Sequence, residues 1–554
     1  PLAPALGASN AWVIAGTHTG SKKPILANDP HLSFAAPILW YLARIETPEL
    51  TLVGATVPGV PFLILGHNGH IAWGMTTTQA DLQDLFVEQV EPVDTSRYRT
   101  PDGAQAFATR AEVIRVRGGA DVSLTVRATR HGPVISDVAM AAQGIVGEGK
   151  VLALAATYLR DDDRTSQALF RLNRARTWDE FLAALADFHA PVQNIHYADT
   201  AGNIGFVAPG RVPVRKSGQG WVPSPGWSGE ADWIGWVPFE HLPKLFNPRE
   251  GRIVSANNKI VADDYPYFLS HDWAPGYRAR RIHQVLDEEK AQSLDNQARI
   301  QRDIVSLMAQ ELLPLMTDVK PAKESLDKVL IKMREWSGSM ARRQPEPLIF
   351  SYWLRELNRA LYADELGALF PRYFDLHPRF VASVLRGDHA WCDDVTTPEP
   401  EDCKSRVVLA LERAIGTLAK TRDLPFVRWR WGDVHRAHFV HPLFSGLPIV
   451  GGRADLAIDA DGAEDTVNRG ASRVDDERAP FAAVHGPGMR AIYDLGNLEQ
   501  SRFMIATGQS GNPLSAHYRD LLTDWRDGRY LRLGLNRRAL AAAAKGTLRL
   551  QPKP

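Results

Sequence analysis

The run Gly7-Ala8-Ser9-Asn10-Ala11-Trp12-Val13-Ile14-Ala15-Gly16 constrains this chain more than any other stretch. Two small residues lead into a serine, and the serine opens an almost wholly apolar segment that ends at a glycine. A continuous apolar run followed by the polar Thr-His-Thr-Gly-Ser reads as a strand buried on both faces. A serine at the first position of such a strand is held rigidly by the sheet ladder. Were the Ala8–Ser9 bond cut, Ser9 would carry a hydroxyl nucleophile and a free α-amine on one residue. That amine, with a reference pKa of roughly 7.7–8, is partly neutral and basic near neutral pH. The plainer reading is a serine that merely begins a strand.

At 554 residues the chain can bury a large core, as two to four domains or one elaborated domain. Lys+Arg and Asp+Glu both total 64, so no net field points to nucleic acid or to a membrane surface. No apolar run approaches the roughly 20 residues of a membrane span. The stretch 1–8 has neither a basic n-region nor a long h-region, and so reads as the start of a processed piece of a longer product. The two cysteines, Cys392 and Cys403, bracket a polar, proline-bearing loop. A disulfide there would be worth about 2–3 kcal/mol by loop closure and favours an oxidising compartment, periplasmic or secreted. Two free thiols are the alternative.

Residues 9 to about 90 alternate short apolar runs with Gly, Pro and Asn turns, and period-two strands continue to about 160. Thr177-Trp-Asp-Glu180 is a capping box opening a helix. Asn194–Asp199 and Asn203–Val207 make a hairpin. The pattern turns helical over 283–424 and returns to short strands from 425. The expected organisation is a spacer remnant 1–8, a first core segment 9–282, a mainly helical segment 283–424 and a C-terminal return 425–554, in an α+β chain.

Short motifs then follow in a fixed order: Asn28-Asp-Pro-His31-Leu, Gly66-His-Asn-Gly-His-Ile-Ala-Trp73-Gly-Met-Thr-Thr77, Asp81-Leu-Gln-Asp84, Asn194-Ile-His-Tyr-Ala-Asp, Arg211-Val-Pro-Val-Arg215, Ser255-Ala-Asn-Asn-Lys and Trp431-Gly-Asp-Val-His435. In this order they resemble the large β subunit of the penicillin acylase family of N-terminal-nucleophile hydrolases, over nearly the whole chain. The resemblance implies an αββα sandwich of two packed antiparallel sheets with a large helical insertion. It also implies a precursor that cuts itself before Ser9, a small α subunit from the same precursor, and a small N-acyl substrate such as an acyl-homoserine lactone or a β-lactam amide, with no organic cofactor.

By matching, Ser9 is the nucleophile and its own amine the base. Thr77 through its N–H and Asn194 through its side-chain amide are the oxyanion donors, and Arg215 orients the asparagine. His31 stands where penicillin G acylases carry glutamine and would tune Ser9 by hydrogen bonding; no carboxylate partner for it is identified. Asp81, Asp84 and the main chain of Gln83 match a calcium site, and two carboxylates three apart suit a hard cation. Leu32 and Leu65 match acyl-pocket positions. His435, His438 and His441 lack an HExxH pattern and read as loop and core histidines. Two readings compete with the hydrolase: a catalytically silent periplasmic binding or scaffold protein on the same fold, and a Ser-His-Asp hydrolase. The latter lacks its G-x-S-x-G elbow, since after Gly508-Gln-Ser510 the second glycine, Gly511, falls one residue too close.

Overall fold

The apolar run after Ser9 is strand β1 (Ala8–Ile14), and all of it is buried. It pairs antiparallel along its whole length with β2 (Ile25–Ser33), from Ala8 opposite His31 to Ile14 opposite Ile25. The strand Arg252–Ser255 pairs with its other edge, which makes β1 an inner strand of a nine-stranded sheet. Alternate side chains of β1 enter two cores. Val13 packs with Leu26 and Tyr493 on one face, while Trp12 and Ile14 pack with Ala279, Ile282 and Val285 of the helix Tyr277–Asp287 on the other. Burial on both faces is why the run is apolar throughout rather than alternating. These details come from a computed structural model describing residues 8–139, 144, 146–422, 425–533 and 537–551, so the spacer reading of 1–8 lies, but for Ala8, outside them.

A second sheet of seven strands includes β3 (Tyr41–Glu46), β4 (Thr51–Thr56), β5 (Leu65–His67) and β6 (Ile71–Thr77), and continues through Gln193–Asp199 to Ile204–Val207 and Lys244–Phe246. Its outer face carries Tyr197 beneath Trp178 and Phe181 of the helix Trp178–Leu185, with ring centroids 5.2 and 4.9 Å away. Thr177 caps that helix on the amide of Glu180, but the Glu180 carboxylate reaches the N–H of Arg176 rather than that of the cap residue. Helix, sheet, sheet and helix therefore stack in that order, the αββα sandwich expected. The helices Leu307–Thr317, Glu346–Leu366 and Cys403–Thr421 close a separate apolar core around Leu312, Trp353 and Leu411. Cys392 and Cys403 form a disulfide at its edge.

β2 runs further than the sequence indicates, straight through Pro30. A proline has no N–H for a ladder and is rare inside a sheet. Here β2 changes neighbours at that point: Asn28 is its last residue opposite Met489–Asp494, and His31 its first opposite Ala483–Pro487. The missing donor falls at the handover.

The two sheets are bolted together by buried amides. Asn28 Nδ2 donates to the carbonyls of Asn10 at 2.8 Å and Met75 at 2.9 Å, and its Oδ1 accepts from the Met75 amide at 3.1 Å. The approach needs Gly74, where a Cβ would lie 2.8 Å from Asn28 Cβ. Asn28→Ala leaves these main-chain groups unpaired in a dry interface. It is expected to lower the unfolding free energy by about 2–4 kcal/mol, read from the urea midpoint at unchanged m.

Candidate active site

Ser9 is 5% exposed and its contacts converge from three elements. Its N–H donates to Asn257 Oδ1 at 2.8 Å, and its Oγ lies 2.5 Å from the carbonyl oxygen of Ala8. Arg278 donates from Nη1 to the Ser9 carbonyl at 2.8 Å and to Asn10 Oδ1 at 2.7 Å, and from Nη2 to Asn257 Oδ1 at 3.0 Å. Asn257 Nδ2 donates to the carbonyl of Thr77 at 2.8 Å, so β6 is tied to the same cluster. Burial, with Arg469 nearby, pulls the Arg278 guanidinium down to about 9.

The asparagine that meets Ser9 is therefore Asn257, not Asn194. Asn194 has its whole amide engaged elsewhere: Nδ2 donates to Thr76 Oγ1 at 3.0 Å and Ser255 Oγ at 3.2 Å, while Oδ1 accepts from Thr78 Oγ1 at 2.8 Å. It links the two sheets beside the site. Asn257 follows the strand Arg252–Ser255 with φ 66°, a left-handed conformation that asparagine tolerates, and this turns its amide back toward Ser9. Likewise the arginine that orients the asparagine is Arg278, not Arg215. Arg278 shares the buried face of its helix with Ile282, Val285 and Leu286, spaced four, seven and eight residues on.

His31 does not reach Ser9 either. The register sets Ser9 opposite Pro30 and Ala8 opposite His31, so the imidazole lies on the helix-covered face of the sheet and the Ser9 side chain on the face between the sheets. His31 Nε2 lies 2.6 Å from Asp29 Oδ2, and its Nδ1 has no hydrogen-bond partner among the described residues. Asp29 is thus the carboxylate partner that the sequence reading leaves open, two residues away on one strand face. Leu32 is half-buried on the Ser9 side of β2, whereas Leu65 is fully buried between the sheets. A cavity of about 200 Å³ opens against Arg278, lined also by Tyr277, Met308, Leu376, Asp465 and Arg469. His435 Nδ1 donates to the Phe481 carbonyl at 2.9 Å and the ring stacks on Trp431, and His441 Nδ1 accepts from two main-chain amides.

Asp81 and Asp84 face Arg215. Its Nε and Nη2 engage the two oxygens of Asp84 at 2.8 and 3.0 Å, and Nη2 lies 3.5 Å from Asp81 Oδ2. Trp233 Nε1 adds a further donor to Asp84, and both Arg215 and Asp84 side chains are 4% exposed. Burial raises the Asp81 carboxyl while Arg215 lowers it. Gln83 is held by its strand pairing with Ala156, and its side chain accepts from Tyr158. These residues do not fit Ca²⁺: both Asp84 oxygens are hydrogen-bonded to a guanidinium, and a divalent ion beside Asp81 and Asp84 would sit against that buried positive charge. Among the described residues no group of three or more His, Cys, Asp or Glu is arranged to hold a metal. Arg215→Met is expected to cost about 3–5 kcal/mol by stranding a buried carboxylate pair, and EDTA should leave the unfolding temperature of the unsubstituted chain unchanged.

The penicillin amidase family profile matches residues 2–542. The chain is 32% identical over 529 residues to penicillin acylase 2 proenzyme of a Pseudomonas species, covering 94% of this chain and 66% of that protein. It is 30% identical over 553 residues to the acyl-homoserine lactone acylase QuiP of Pseudomonas fluorescens, covering 95% of this chain and 65% of that one. The chain thus spans just under two thirds of the length of these relatives. A thermostable penicillin G acylase from Alcaligenes faecalis superposes with a TM-score of 0.76 at 21% identity, over 98% of this chain and 100% of that one. With the profile spanning almost the entire sequence, the chain belongs to the penicillin amidase family.

Proposed function

We propose that this chain is the catalytic part of an N-terminal serine amidohydrolase that removes the acyl group from a small N-acyl compound, matured by cutting Ala8–Ser9. The observation that carries the reading is the position of the Ser9 hydroxyl, 2.5 Å from the carbonyl oxygen of the bond to be cut, with the Ser9 nitrogen held on Asn257. In maturation, Oγ adds to the Ala8 carbonyl carbon, the C–N bond breaks and the hydroxyl proton passes to the nitrogen. The product is an ester of Ala8 on Ser9 Oγ and a free α-amine. Water then cleaves the ester, releasing the Ala8 carboxylate and restoring the hydroxyl.

In turnover, Ser9 Oγ attacks the substrate amide while the α-amine takes its proton and returns it to the leaving amine, and water then cleaves the acyl ester on Oγ, releasing the acid and restoring the hydroxyl. The developing oxyanion is met by Asn257 Nδ2, which has a second hydrogen beyond the one given to Thr77, together with the Thr77 N–H. Leu32, on the Ser9 side of β2, suits an apolar acyl chain. The cavity against Arg278 carries charges of both signs and suits a polar amine-side group. Names among the relatives support penicillin-type and acyl-homoserine-lactone amides as the first substrates to try. A small α subunit from the same precursor and a periplasmic or secreted location complete the reading; the proenzyme relative supports the first and the Cys392–Cys403 disulfide the second.

Intact mass of chain made from its full precursor should show Ser9 as a new N-terminus. Folded material with the bond intact and no hydrolysis would overturn the reading in favour of a silent binding protein. Ser9→Ala should abolish both reactions, and Asn257→Ala should lower kcat by roughly 100- to 1,000-fold. Because the base must be neutral, kcat/KM should rise with pH. The nearby Arg278 cation disfavours an ammonium, so the inflection should fall below the reference range of roughly 7.7–8.

A further inference from the structure

Behind the nucleophile strand, on the face away from the Ser9 side chain, lies a closed polar network that the hydrolysis does not use directly. Asp29, 0% exposed, is its centre. Asp29 Oδ2 accepts from Asn10 Nδ2 at 2.8 Å and lies 2.6 Å from His31 Nε2, and Oδ1 accepts from Gln301 Nε2 at 3.2 Å. Asn10 Nδ2 also donates to the Val467 carbonyl at 2.9 Å. With two acceptors on its nitrogen side, the Asn10 amide has one orientation left, and that orientation presents Oδ1 to Arg278.

We propose that Asp29 is a positioning residue for the nucleophile, acting through the sheet by fixing the Asn10 amide and thereby the Arg278 guanidinium that holds Ser9 and Asn257. This rests on Ser9 being the nucleophile. The reason is a count of acceptors. Arg278 is buried, and its hydrogen bonds at the site go to three neutral oxygens: the Ser9 carbonyl, Asn10 Oδ1 and Asn257 Oδ1. An Asn10 amide freed to rotate can turn its NH₂ toward the guanidinium, which replaces an attraction by a donor–donor repulsion and lets Arg278 shift. Both Ser9 contacts of Arg278, direct and through Asn257, would move with it.

The role is one of orientation more than charge. The groups facing Asp29 are Asn10 on β1, His31 on β2, Gln301 after the helix Leu294–Ile300, Arg490 on Met489–Asp494, Arg278 on Tyr277–Asp287, and Tyr530. Burial pushes the Asp29 carboxyl up to about 8 despite Arg490, and burial holds the His31 imidazole well below its ordinary range. Through the neutral range the pair thus holds one proton and is uncharged. An uncharged isostere with an oxygen toward Asn10 should therefore replace Asp29, and alanine should not.

The test uses the full precursor carrying Asp29→Ala or Asp29→Asn beside the unsubstituted chain. Processing is followed by intact mass, and kcat and KM are measured on whichever amide the unsubstituted enzyme cleaves fastest. Asp29→Ala is expected to slow processing and lower kcat by roughly 30- to 100-fold with KM nearly unchanged, the pattern of a displaced nucleophile. Asp29→Asn should stay within about threefold on both. If Asp29→Ala does not fold, Asp29→Ser, which keeps a shorter acceptor, is read in its place by the same measure. Equal kcat for the unsubstituted and alanine chains overturns the proposal, as does an equal loss in Asp29→Ala and Asp29→Asn. An unsubstituted precursor that neither processes nor hydrolyses takes down the functional reading as well, so the two failures are distinguishable.

Discussion

Arg278 is the interaction on which the site depends. A guanidinium taken wholly out of water loses a large hydration free energy, and burial accordingly draws its pKa down to about 9. Among the described residues no carboxylate meets it directly at the site; its hydrogen bonds there go to a main-chain carbonyl and two side-chain amides. A charge held this way is intolerant of misalignment, because every displaced acceptor leaves part of the charge unsolvated. That intolerance works to the advantage of the geometry. Ser9 and Asn10 come from one strand and Asn257 from the turn that follows its neighbour, and the planar fork of one arginine sets their spacing.

Arg215 shows the opposite way of burying the same group. It is paired with carboxylates, its charge is cancelled locally, and it holds β7 (Gln83–Gln89) to the segment around Pro213–Arg215 rather than shaping a reactive centre. Charge cancelled by carboxylates makes a structural clamp, whereas charge solvated by neutral dipoles leaves a positive potential beside Ser9. A developing oxyanion would meet that potential. Sequence spacing alone does not separate these two cases, because both arginines lie near a strand or helix end in a polar context.

The layered fold and the buried strand through Ser9 are readable because burial on both faces leaves a continuous apolar run, which few local structures share. The site was readable only in part. Pro30 masks the strand character of residues 28–31, and with it the placing of Asp29 and His31 on one strand face at period two. Asn194 and Asn257 both follow or begin strands, and which of them meets Ser9 depends on the pairing register and on one left-handed φ, neither of which is local. Arg278 did carry a signal: it occupies an apolar-face position of an amphipathic helix, where a charge needs a reason. The two aspartates read as a calcium pair; what they face in the structure is the Arg215 side chain, from more than a hundred residues downstream.

A chain end is ordinarily the least ordered part of a protein. Were the bond before Ser9 cut as proposed, the new end of this chain would be a residue of an inner strand, laddered to β2 on one edge, with Arg252–Ser255 pairing further along the other. Its nitrogen already has a fixed acceptor in Asn257, so cutting removes no contact that aligns it. An amine in that position lacks the fraying that makes most N-termini accessible to exopeptidases and acylating reagents. The reactive end would be chemically a terminus and mechanically a piece of the core.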